Sequence, residues 1–112
     1  MAHPMLAPVY ELADGDMVFF TEILESMTSS IPEDVAEIEK GIENKQISIV
    51  GRSAHHMKSS IMYSNAEELK EMLSVIEIKK EASAIDEVKA LMPRLKQLAK
   101  ELTDIIDSEK KK

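Results

Sequence analysis

The chain has 112 residues, enough for one domain with a modest core and too few for two. Its 14 Lys and Arg against 21 Asp and Glu leave a formal charge of −7, which argues against general nucleic-acid or anionic-membrane binding, where clustered cations are needed. With no Cys there is no disulfide, thiol nucleophile or Cys-ligated metal, and the 3 Gly form no phosphate-cradling loop.

The composition is that of a helical protein, rich in Met, Leu, Ile, Glu, Lys and Ala, with 4% aromatics and no strand-like alternation. The stretch to Leu12 holds Pro4 and Pro8 and is expected to be a loose arm with a short turn near Tyr10. It lacks the charged-then-apolar pattern of a signal peptide, and no apolar run nears the roughly 20 residues that span a bilayer, so the expected compartment is the cytoplasm. Asp14-Gly15-Asp16 reads as a turn with a cap. Phe19, Phe20, Ile23, Leu24 and Met27 form a broad apolar stripe, ended by Thr28-Ser29-Ser30. Ser30 with Glu33 reads as a capping box that opens a new helix, with Pro32 in its first turn and Val35, Ile38 and Ile42 facing inward. Asn44-Lys45-Gln46 closes it.

Ile47, Val50, Ala54, Met57 and Ile61 then repeat at helical spacing, the plainest amphipathic signal in the chain. Ser64-Asn65 breaks that helix, and Asn65 is expected to cap the next, whose inward face is Leu69, Leu73 and Ile76. The last helix starts near Ser83 and should kink or break at Pro93. Short connections favour antiparallel neighbours. The expected fold is all-α: a single domain over 1–112, an antiparallel up-down four-helix bundle over 14–108 with a short extra N-terminal helix or arm at 1–12.

Chemistry concentrates in one segment, Arg52-Ser53-Ala54-His55-His56-Met57-Lys58-Ser59-Ser60. His55 lies about 100° round the helix from Ala54, on the flank of the core stripe. Its helix neighbours are Gly51, Arg52, Lys58 and Ser59, two cations, a hydroxyl and a bare Gly that leaves room above the ring. A neutral imidazole is a competent nucleophile at neutral pH, and a phosphoryl group on its nitrogen would gain charge-assisted bonds from Lys58 and Ser59.

Ala54-His55-His56-Met57-Lys58-Ser59-Ser60, followed by Asn65-Ala66, Leu69, Leu73 and Ile76-Glu77, resembles the motif of the histidine-containing phosphotransfer (HPt) domains of bacterial two-component phosphorelays. Gly15-Asp16 with Phe19, and Pro32-Glu33, extend the likeness to roughly residues 14–105. Three positions depart from the family pattern: Ser59 stands for a Gly, Asn65 for the Gly of a Gly-Ala pair, and Leu73 for a Cys. The resemblance implies that His55 is the phosphoacceptor, on Nε2, because Lys58 stands three residues after it. It implies a relay in which the phosphoryl group comes from the aspartyl phosphate of one receiver domain and leaves for another. The chain would hold no cofactor and no ATP site; the receiver supplies the acidic pocket and its Mg²⁺. Receivers, and a hybrid sensor histidine kinase, are the implied partners. Docking is expected around Gly51, Arg52, Met62 and Phe20, with Ser59 either bonding the phosphoryl group or obstructing a partner.

The remaining features read as ordinary. His56 is expected to be solvated, and adjacent histidines point apart on a helix, against a metal site. Glu33, Asp34, Glu37 and Glu39 read as a solvated face, Glu67-Glu68 as helix-start charge, and the 8 Met as core filling. His3 has no assigned role. The competing readings are a degenerate adaptor that docks without accepting phosphate, which Ser59 favours, and a plain helical interaction module. A monomer is expected, with no nucleic-acid or membrane partner.

Overall fold

The computed structural model describes residues 2–112, and among these every regular element is helical. In chain order they are a 3-10 turn Pro4–Leu6, α1 Ala7–Ala13, α2 Met17–Glu43, α3 Ile47–Ser60, α4 Glu67–Glu77, a second 3-10 turn Ala82–Ala84 and α5 Ile85–Lys110. The turn into α2 follows its chemistry: Asp14 (φ 47°) and Gly15 (φ 86°) take left-handed backbone, and the Asp16 carboxylate accepts the Phe19 amide at 3.0 Å.

The largest departure from expectation is α2, a single helix of 27 residues where two were expected. Ser30 does not cap. Its hydroxyl lies 3.2 Å from Asp34 Oδ2 and 2.9 Å from Ser60 Oγ, so the boundary signal is spent on tertiary contacts. Leu24, Met27, Ile31, Asp34 and Ile38, all buried, continue one stripe straight through the supposed break. Pro32 sits exposed within the helix, whose burial on both sides of it outweighs the one lost backbone bond. At Pro93 the expected break is likewise absent, and α5 runs unbroken from Ile85 to Lys110.

Pairs of contacts fix the directions. Moving from His56 to Ser60 on α3 means moving back from Asp34 to Ser30 on α2, so these two run antiparallel. The pairs Arg94–Glu68 and Glu87–Lys79 make the same statement for α5 against α4 and its C-terminal end. α2 packs on α3 and α5, α3 on α4, and α4 on α5, which closes a ring of neighbours around a common core. Gly41 sets the α2–α3 spacing. A Cβ there would stand 2.8 Å from Val50 Cγ2 and 3.3 Å from the Val50 backbone nitrogen, so any larger residue would force Val50 aside.

The N-terminal segment is structured rather than a loose arm. Leu6 and Val9 are fully buried in the common core, and Tyr10 meets Phe20 edge-on at 5.7 Å. Asn65 does not cap α4. Its side-chain amide instead donates to the Pro4 carbonyl at 2.8 Å, and its backbone amide to Met5, tying the α3–α4 turn to the N-terminal segment. The outcome is a rod of 47 × 19 × 19 Å, its length set by α2 and α5 at about 1.5 Å per residue.

Candidate functional site

Val50, Ala54 and Met57 are fully buried, so α3 turns the flanks that carry His55 and His56 outward. The His55 side chain is 63% exposed. One turn earlier, Gly51 is buried, and a Cβ built on it would lie 3.4 Å from the Glu77 carbonyl oxygen. The last turn of α4 packs onto α3 at Gly51, and this packing brings Glu77 to the histidine.

Glu77 then serves two partners. Its Oε1 lies 2.6 Å from His55 Nδ1 and its Oε2 lies 2.5 Å from Lys58 Nζ. Oε2 is shut off from solvent, with the ammonium as its ion-pair partner. Lys58 also reaches Ser74 Oγ at 3.4 Å, so the lysine is held between two groups of α4. The Lys58 ammonium first, and the His55 ring second, hold the Glu77 carboxyl below the ordinary carboxylate range, against the opposing effect of its own desolvation. Glu77 is therefore an anion at neutral pH. A carboxylate against Nδ1 favours the tautomer with the proton on that nitrogen, which leaves the Nε2 lone pair on the solvent edge of the ring. This is an oriented imidazole on an outward-facing helix flank. Two clefts along the α2–α5 seam, around Pro93, do not include it.

A family model described as Hpt domain matches residues 22–108. The chain belongs to the Hpt domain family. No curated protein and no solved structure matches it significantly. As an Hpt domain it is a phosphotransfer module of phosphorelay signalling, with receiver and kinase domains as its class of partner. No helix of the described residues is long and apolar enough to cross a membrane.

The Hpt domain places the residues read from the sequence unevenly. His55 and Lys58 come together, but through a shared carboxylate, and the ammonium stands on the Nδ1 side of the site rather than free beside Nε2. Ser59 and Arg52 are exposed, and Arg52 has no carboxylate within ion-pair distance among the described residues. Met62 is 54% exposed. Two expected docking residues are corrected. Phe20 is 4% exposed because it fills the core under α1, and Gly51 is covered by the end of α4.

Two groups were missed. The sequence motif holds Glu77 without pointing to a role for it, and Asp34, expected on a solvated face, is 7% exposed. His56, expected to be merely solvated, holds Nδ1 at 2.9 Å from both Asp34 oxygens. The antiparallel register was the signal for Glu77: three residues forward from His55 on α3 and three back from Glu77 on α4 meet at Lys58 and Ser74. Among the described residues no three His, Cys, Asp or Glu side chains converge as a metal site.

Proposed function

We propose that this Hpt domain is a phosphorelay intermediate in which His55 Nε2 takes a phosphoryl group from a receiver's aspartyl phosphate and returns it to the aspartate of another receiver. The observation that carries the reading is the exposed ring whose Nδ1 is tied to Glu77 at 2.6 Å. The Nε2 lone pair forms the N–P bond as the acyl O–P bond breaks and the receiver's aspartate leaves as a carboxylate. Positive charge arriving on the imidazole is met by Glu77 across the Nδ1 hydrogen bond, so the ring is oriented and its product state stabilised before the partner docks.

A ring on a convex flank needs a concave partner. The receiver supplies that pocket, together with its own Mg²⁺, and this chain contributes no ATP site. Lys58 neutralises Glu77 in the resting state, and it serves the phosphoryl oxygens by turning its flexible ammonium from Glu77 toward Nε2. Arg52 and Met62 flank the docking face, and Ser59 adds a hydroxyl beside it. The domain acts as a monomer in the cytoplasm.

Incubation with a phosphorylated receiver tests the assignment. The expected label is acid-labile and alkali-stable, lost in His55→Gln and kept in His56→Gln. Label that persists at full level in His55→Gln overturns it. Receiver binding with no label on the wild type would instead support the adaptor reading, which Ser59 and the engagement of Lys58 by Glu77 favour.

A further inference from the structure

The molecule holds a second oriented imidazole that the relay does not use. His56 leans from α3 toward α2, the opposite flank from His55, and its side chain is 65% exposed against 63% for His55. Both Asp34 oxygens lie 2.9 Å from His56 Nδ1. Asp34 is itself fixed: it is 7% exposed, Ser30 Oγ donates to its Oδ2 at 3.2 Å, and Ser60 Oγ meets Ser30 at 2.9 Å while lying 3.1 Å from the His56 carbonyl. An anchored carboxylate therefore favours the proton on His56 Nδ1 and leaves the Nε2 lone pair facing water.

The third histidine is wired the other way. His3 Nδ1 accepts the Met5 amide at 3.0 Å, so its proton sits on Nε2 and its outer nitrogen has no lone pair to offer. Of the three imidazoles, all exposed, two present a nucleophilic outer nitrogen and one does not.

We propose that His56 is a second phosphoacceptor of this chain, open to a small N-phosphoryl donor that needs no docked receiver. The Nε2 lone pair of His56 attacks phosphorus, and the new N–P bond forms as the donor's P–N bond breaks. The donor nitrogen, which carries three protons in the zwitterion of phosphoramidate, leaves as ammonia with that electron pair, and the positive charge arriving on the ring is met by Asp34 across the Nδ1 hydrogen bond. Arg52, one helical turn before His56 and free of carboxylate partners among the described residues, is the cation placed to hold the phosphoryl oxygens. Receiver-driven transfer selects His55 because one docked pocket stands in line with only one of two rings splayed to opposite flanks of a helix.

Phosphoramidate is the probe, with the phosphorylated residue located by mass spectrometry of the full chain under alkaline conditions. His55→Gln is expected to take one phosphoryl group, at His56, and His56→Gln one, at His55; the double variant is expected to take none. In the His55→Gln background, Asp34→Asn is expected to slow labelling of His56 roughly tenfold. In the His56→Gln background the same change is expected to leave labelling of His55 unaltered, which separates loss of orientation from loss of fold. A His55→Gln protein that takes no label, or that labels His3 as fast as His56, overturns the proposal. Either result leaves the receiver assay on His55 standing, so the two assignments fail separately.

Discussion

At the scale of single residues the decisive group is Glu77, which satisfies an imidazole and an ammonium with its two oxygens. Glu77→Gln keeps the shape and one acceptor oxygen but removes the charge that holds His55 and that, in the proposed transfer, answers the positive charge developing on its ring. Receiver-driven labelling of His55 is expected to slow about 10- to 100-fold, read as the rate of label gain at fixed receiver concentration. A pH effect follows with a definite sign. The Glu77 carboxyl is held below its ordinary range by Lys58 first and by His55 second. Its contribution to stability is thus complete above roughly pH 5 and is lost as pH falls through the folded-state value. Urea midpoints of wild type and Glu77→Gln are expected to differ at neutral pH, with wild type the higher, and to converge as pH falls below the range in which the folded-state carboxyl takes up its proton. A difference that stays constant with pH would show that the charge of Glu77 is not coupled to folding. The sequence made His55 legible because its neighbours Arg52 and Lys58 are local. Glu77 and Asp34 were illegible in their roles because each meets its histidine across a distance of 22 residues in the chain.

At the scale of elements, α2 shows why boundary signals mislead. Thr28-Ser29-Ser30 with Pro32 carries the chemistry of a helix start, yet Thr28 bonds back to the Leu24 carbonyl at 2.9 Å and Ser30 turns to α3. Asp34 occupies a core-stripe position between Ile31 and Ile38, so a charged residue concealed the continuity of the stripe. Where α2 crosses α3, Gly41 is the contact that admits no side chain. Gly41→Ala forces the new methyl onto Val50, an overpacking cost of about 1–3 kcal/mol that outweighs the roughly 1 kcal/mol by which Ala is favoured over Gly in a helix. Chemical denaturation is expected to show a net loss of stability. Adding Val50→Ala to that variant should cost less than Val50→Ala costs alone, because it also relieves the clash; additive losses would contradict the contact.

At the scale of the whole molecule, the N-terminal segment belongs to the fold. Pro4 and Pro8 sit at the starts of the 3-10 turn and of α1, where a missing N–H costs little, so the residues that suggested a loose arm instead initiate helices. Leu6→Ala is expected to cost about 2–5 kcal/mol in denaturant unfolding, while Leu12→Ala, at a position 44% exposed, stays within about 0.5 kcal/mol. Equal, small effects would return the segment to the status of an arm. Apolar periodicity by itself determined that the chain is helical and that the His55 flank of α3 faces outward, because spacing of three and four residues is a property of the local backbone. Which carboxylate meets each imidazole, whether α2 is one helix or two, and that the N-terminus joins the core were decided only by tertiary packing. Those outcomes depend on which surfaces meet across the chain, as where Gly41 lies against Val50 with no room for a Cβ, and that is not a property of local spacing.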